Sequence, residues 1–260
     1  MIKHQNLGAQ ILQACLGDVV SIFYLSPLSG GATSGVPARG GVPVLFPQFA
    51  EQGLLSKHGL VRSANWTLLE EQVAQCAHLL RYGLDIQHSD YPTWPHAARL
   101  SLAVEAKPDA LLFSLQVTNT GITAFSWTGG LHPYFAVQDV LKSSLSGLAG
   151  LRVQDRFVPD FSSQPQDDIQ WTKQPFERLY DGCPPLVLNT GSHSLQLSAS
   201  GFDQWMVWNP GEVDGNALAD LPAGDWRRFI CVEPVCVVRP VELAPGDIFE
   251  GSLRIEICKN

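Results

Sequence analysis

Leu111-Leu112-Phe113-Ser114-Leu115-Gln116-Val117-Thr118 has a period of two, and that period decides the fold class. In an extended chain Leu111, Phe113, Leu115 and Val117 share one face, and Leu112, Ser114, Gln116 and Thr118 share the other. The pattern recurs. Leu100, Leu102 and Val104 alternate with Ser101, Ala103 and Glu105, Leu195 and Leu197 with Gln196 and Ser198, and Leu253, Ile255 and Ile257 with Arg254, Glu256 and Cys258. Each run predicts a strand buried on one face. Residues 19–25 and 229–232 are apolar on both faces, which predicts strands covered from both sides. Turn residues separate the runs, as in Lys107-Pro108-Asp109, Asn119-Thr120-Gly121, Asn209-Pro210-Gly211 and Ala244-Pro245-Gly246-Asp247. Strands joined by turns, with no βαβ alternation, predict an all-β protein: one large antiparallel β-sandwich spanning residues 1–260 as a single domain. The polar stretch 158–168 reads as a surface loop between strands.

Composition narrows the function classes. Apolar residues make up 45% of the 260, enough for a sizeable core, while charged residues make up only 16%, which excludes a charge-driven disordered chain. With 17 basic against 25 acidic residues the net charge is −8, so no broad basic face for nucleic acid is expected. No apolar run reaches the roughly 18 residues of a membrane helix, so no membrane partner is expected. The opening Met1-Ile2-Lys3-His4-Gln5 leads into neither a long apolar stretch nor a cleavage signal, and a cytoplasmic protein is expected. The six cysteines contain no C-x-x-C, which reads as buried reduced thiols. Cys231 and Cys236 lack a matching second pair, so no metal is expected.

Four segments carry candidate chemistry. In Arg39-Gly40-Gly41-Val42-Pro43-Val44-Leu45-Phe46-Pro47 the glycines allow close backbone approach and the prolines stiffen the chain beyond the turn. On spacing alone it is a turn with a surface arginine; the alternative is a rigid base from which an arginine grips an anion. Lys57-His58-Gly59-Leu60-Val61-Arg62 places three cationic or potentially cationic side chains within six positions. If extended, it puts His58, Leu60 and Arg62 on one face and Lys57 on the other, forming an anion or sugar site or a solvated basic patch. In Trp127-Thr128-Gly129-Gly130-Leu131-His132-Pro133-Tyr134-Phe135 the histidine is either a core residue with one hydrogen bond or a general acid titrating near neutrality. In Phe229-Ile230-Cys231-Val232-Glu233-Pro234-Val235 a lone carboxylate ends an apolar strand. Burial there would raise its pKa toward that of a general base. Trp205-Met206-Val207-Trp208 adds aromatic surface that either faces a sugar or fills core.

Together and in order, these segments resemble the hexose-6-phosphate mutarotases (glucose-6-phosphate 1-epimerases) of the aldose-1-epimerase-like superfamily. The resemblance rests on Arg39-Gly40-Gly41-Val42-Pro43 through Pro47, His58-Gly59 with Arg62, Trp94-Pro95, His132-Pro133-Tyr134-Phe135, Glu177 with Tyr180, Val207-Trp208-Asn209-Pro210 and Cys231-Val232-Glu233-Pro234. It implies a galactose-mutarotase-like supersandwich, His132 and Glu233 as catalytic residues, and Arg39 and Arg62 on the substrate and its phosphate. Lys57, His58, Glu177 and Trp208 are implied as substrate-binding. Three positions depart from the family pattern: Lys57 replaces a common glutamine, Glu177 an aspartate, and Pro133 a threonine. The implied reaction is interconversion of the α and β anomers of a hexose 6-phosphate, glucose 6-phosphate first, by acid–base ring opening and closure. It needs no cofactor or metal, and a monomer acting on this small molecule is expected. An epimerase for unphosphorylated aldoses and a non-catalytic sugar-phosphate-binding protein are the competing readings.

Overall fold

The computed structural model describes residues 1–17, 21–29, 35–75, 77–159, 163 and 168–258. Among them the period-two runs form the centre of a nine-stranded antiparallel sheet. Ala98–Ala106 and Ala110–Asn119 pair across the Lys107-Pro108-Asp109 turn, closed by a 2.8 Å bond from the Lys107 N–H to the Ala110 carbonyl. Ile248–Ile257 continues the sheet on the other side of Ala110–Asn119, and Ser194–Ser200 comes next. A second, seven-stranded sheet contains Phe125–Leu131, Phe229–Leu243, Gln204–Asn209 and Phe176–Asp181.

The alternation predicts which faces meet. Leu100, Leu102, Phe113, Leu115, Leu253 and Ile255 from the first sheet share one hydrophobic cluster with Trp127, Tyr180, Trp205 and Val207 from the second. Trp127 and Phe249 touch directly across the interface, ring centroids 4.9 Å apart. Phe23 bridges Phe113 and Phe135 at 6.0 and 5.7 Å. The architecture is therefore the expected sandwich, dominated by strand, with stacked sheets giving one continuous core.

Two local expectations change. The described part of 19–25 makes only isolated bridges, Phe23 to Phe135 and Leu25 to Gly40, rather than a ladder; Val19 and Val20 lie outside the described residues. Asn209-Pro210-Gly211 does not turn into another strand but opens the short helix Gly211–Ala217, with Glu212 and Asp214 in its first turn, where acidic groups favour a helix. Most of 158–168 lies outside the described residues, as does Cys76. Cys183, Cys231, Cys236 and Cys258 are free thiols. No helix among the described residues is long and apolar enough to cross a membrane.

Candidate active site

The outer face of the seven-stranded sheet forms the floor of a 360 Å³ pocket. Its register does what no local spacing can. Glu177 lies opposite Trp208, Trp208 opposite Cys231, and Cys231 opposite Tyr134; one row along, Leu179 faces Met206 and Met206 faces Glu233. Side chains directly across an antiparallel pair share a face. Four distant strands thus place Glu177, Trp208, Met206, Glu233 and Tyr134 in the same hollow. Every residue expected from the sequence lines it: Arg39, Lys57, His58, Arg62, His132, Glu177, Trp208 and Glu233.

Loops deliver the cations. Arg39 precedes two glycines that squeeze between neighbouring strands: a Cβ on Gly40 would stand 2.3 Å from the Tyr24 carbonyl oxygen, and one on Gly41 2.1 Å from that of Ile11. Only glycine permits that approach, and it fixes where Arg39 leaves the backbone. The Lys57–Arg62 segment is not extended as expected. His58 itself sits at φ +67°, Gly59 at +76°, and Val61–Ser63 is a 3₁₀ turn. The turn sets the Gly59 α-carbon against Phe46, whose carbonyl oxygen would lie 2.3 Å from an added Cβ, so only glycine fits there. That turn brings Lys57 into the pocket with His58 and Arg62, where a strand would have pointed it away.

His132 comes directly after the end of Phe125–Leu131, its N–H bonded to the Pro43 carbonyl at 2.9 Å. Its ring stacks on Tyr134 at 4.7 Å and meets Trp208 edge-on at 6.2 Å. Nδ1 of His132 lies 3.1 Å from Oε1 of Glu233. The contact is close but not aligned as a hydrogen bond, so Nδ1 and Glu233 Oε2 both remain buried and unpartnered. Such groups are costly in a folded core, and they mark a position that another molecule's polar atoms would satisfy.

Burial sets the electrostatics. It pushes the Glu233 carboxyl well above its ordinary 4.5, with the Glu177 carboxylate adding to the effect and Lys57 opposing it. It also holds His132 well below 6.5, reinforced by His58, Arg62, Arg39 and Lys57, so its titration falls below the neutral range expected from the sequence. His58 falls to about 3 through burial and then Arg62, Lys57 and Arg39. Its Nδ1 accepts the Ala50 N–H at 3.2 Å, which leaves the proton of the neutral ring on Nε2. Both shifts favour the uncharged forms, a carboxylic acid at Glu233 and a neutral ring at His132, with one titrating proton between them.

Arg62 is the unmatched charge. Among the described residues it has no hydrogen-bond or ion-pair partner, and burial, then Arg39, holds its pKa below the ordinary arginine value. Arg39 gives Nε to Asp220 Oδ1 at 2.6 Å. Lys57 pairs with Glu51 at 3.0 Å and Arg156 with Glu177 at 2.9 Å. His132, Cys231 and Glu233 bring three metal-ligating atoms within 4.8 Å of one another, but the three cationic neighbours Arg39, Lys57 and Arg62 oppose a metal ion there. Trp94 of the Trp-Pro motif is core, packed on Phe46 and Phe125. Tyr134 and Arg156 line the pocket without having been anticipated, and Asp220 stands behind Arg39 without lining it; only Tyr134, two positions after His132, had a signal in the sequence.

The aldose 1-epimerase family profile matches residues 1–256, and the chain belongs to that family. Among relatives, proteins given the provisional name glucose-6-phosphate 1-epimerase share 25% identity in Cenchrus ciliaris, over 84% of this chain and 69% of theirs, and 29% in Escherichia coli K12, over 77% and 68%. A provisionally assigned mutarotase of Salmonella typhimurium, YeaD, superposes with a TM-score of 0.89 at 24% identity, covering 100% of this chain and 87% of its own. That likeness establishes the galactose-mutarotase type of fold.

Proposed function

We propose that this chain, acting as a single-domain cytoplasmic monomer with no nucleic-acid or membrane partner, interconverts the α and β anomers of a hexose 6-phosphate, glucose 6-phosphate first. One observation carries the reading: a buried Glu233–His132 pair 3.1 Å apart shares its pocket with an unmatched Arg62. Mutarotation needs a proton taken from the anomeric hydroxyl while another is given to the ring oxygen. The ring opens, the C1–C2 bond rotates, and closure on the other face reverses both transfers. Glu233 and His132 hold one proton between them, so one gives while the other takes, and each turnover restores the starting count.

The phosphate contributes to the chemistry as well as to binding. Arg62, Arg39 and Lys57 are among the charges that hold His132 neutral. A phosphate dianion beside them offsets their field and favours imidazolium over the neutral ring at His132; that imidazolium, 3.1 Å from Glu233, in turn favours the carboxylate over the carboxylic acid. The charge-separated state, with Glu233 as base and His132 as acid, then becomes accessible when substrate is bound. Arg39 and Arg62 supply planar forks suited to bidentate phosphate bonds. Trp208 offers a face to the sugar, and Lys57, His58 and Glu177 offer polar contacts. The test is NMR exchange spectroscopy of the anomers of several hexose 6-phosphates with catalytic amounts of protein. Acceleration confined to phosphorylated sugars supports the proposal, and none on any of them rejects it.

A further inference from the structure

Arg39 is not free to swing. Its Nε is engaged at 2.6 Å by Asp220 Oδ1, and no described residue takes a hydrogen bond from its terminal Nη groups. The two residues are far apart in sequence but are tied at the backbone by Ser26, whose N–H bonds the Arg39 carbonyl at 2.9 Å and whose hydroxyl donates to the Asp220 carbonyl at 2.6 Å. The Arg39 N–H is in turn bonded to the Ser29 hydroxyl at 2.9 Å. The geometry points to Asp220 as a positioning residue: its carboxylate fixes the rotation of the Arg39 guanidinium so that both Nη groups face the pocket beside Arg62, forming a two-arginine clamp for a phosphate dianion.

The arrangement distinguishes positioning from simple charge balance, because the two make opposite predictions. Asp220 is an anion next to an anion site. If it merely neutralised Arg39, removing it would leave more positive charge for phosphate and tighten binding. If it aims Arg39, removing it frees a long side chain and binding weakens even though a repelling charge has gone. Asp220 is half-exposed and lies outside the Glu233–His132 pair, so its substitution leaves the core and the acid–base groups intact.

This inference rests on the proposed function only for its catalytic consequence, and it is tested first without catalysis. Binding of inorganic phosphate is titrated by calorimetry on the full chain and on Asp220→Ala, Asp220→Asn and Asp220→Glu. The expected result is a Kd raised about 5- to 30-fold in Asp220→Ala, on the order of one charge-assisted hydrogen bond. Asp220→Asn should be intermediate and Asp220→Glu should recover most of the affinity. If mutarotation is observed, KM for the hexose 6-phosphate should rise in parallel with kcat nearly unchanged. Unchanged or tighter phosphate binding in Asp220→Ala overturns the assignment, as does Asp220→Glu no better than Asp220→Ala. Failure of the wild-type chain to bind phosphate at all overturns the clamp as well. Phosphate binding that behaves as expected without any anomer exchange overturns only the proposed function.

Discussion

Glu233→Gln should remove activity and stabilise the fold, with the gain growing as pH rises. Glu233 is buried, one of its carboxyl oxygens has no partner, and its pKa is raised well above 4.5, first by burial and then by Glu177. A raised native pKa means that the contribution of this group to stability is fully present below the unfolded value and is lost as pH climbs through the native value. If the folded protein keeps the proton at pH 7, the unfolded chain gains by releasing it. Each tenfold by which the folded state holds the proton more tightly than the unfolded chain is worth about 1.4 kcal/mol. Glutamine keeps the shape and carries no charge. Its amide brings a further buried donor that costs on the order of 1 kcal/mol, so the expected net gain is about 1–2 kcal/mol at neutral pH. That corresponds to a rise in Tm of roughly 2–8 °C for a chain of this size. Melting curves of both proteins from about pH 5 to 8 should diverge steadily, because only the wild type has the titration. Anomer exchange should fall by roughly 10²–10⁴-fold, the range of general acid–base catalysis. A variant that is less stable than wild type by the same amount at every pH would refute the account of Glu233 as a desolvated, proton-holding carboxyl. Near wild-type exchange would refute its catalytic role.

Arg62→Ala should raise KM for a hexose 6-phosphate about ten- to a hundred-fold while leaving slow glucose turnover unchanged. Because Arg62 is desolvated and unpaired, the melting temperature of that variant should not fall, and an equal loss on both sugars would reassign the arginine to the sugar ring. The pH profile of kcat/KM, read by polarimetry, should be broad rather than sharply peaked. Its acid limb lies below 6.5, since His132 is depressed, and its alkaline limb lies far above 4.5, since Glu233 is raised. The limbs belong to the pair, and a sharp optimum with both limbs close to pH 7 would contradict the burial argument. Gly59→Ala should destabilise the protein by at least about 1–3 kcal/mol in a denaturant titration, since φ is +76° and the new Cβ would meet the Phe46 carbonyl at 2.3 Å. A neutral effect there would mean that the turn carrying His58 and Arg62 adapts.

Much of the fold is legible in the chain because period-two alternation is a local property. Residues 111–118 state which side chains face inward, and Ala110–Asn119 buries those side chains. Glu233 is legible for a related reason: one carboxylate in an otherwise apolar strand must be either paired or perturbed. The Arg39-Gly40-Gly41 turn is legible as close approach, though not as to what it approaches. The features that local patterns miss are non-local. An extended chain would point Lys57 away from His58 and Arg62, whereas a left-handed turn at His58 and Gly59, packed against Phe46, gathers all three. Asp220 and Arg156 have neighbours in sequence that say nothing about Arg39 or Glu177; only folded loops and strand register bring them together. The depressed state of His132 likewise depends on cations supplied by separate segments.

The acid–base pair and the phosphate clamp meet in one number, the rate of α–β exchange measured by NMR on glucose 6-phosphate and on glucose, with the same catalytic concentration of wild-type protein in each. The account predicts marked acceleration for the phosphorylated sugar, abolished in His132→Asn, and little for glucose. Equal acceleration of the two sugars would contradict the assignment of Arg39 and Arg62 to a phosphate, and no acceleration of either would contradict the assignment of Glu233 and His132 as an acid–base pair.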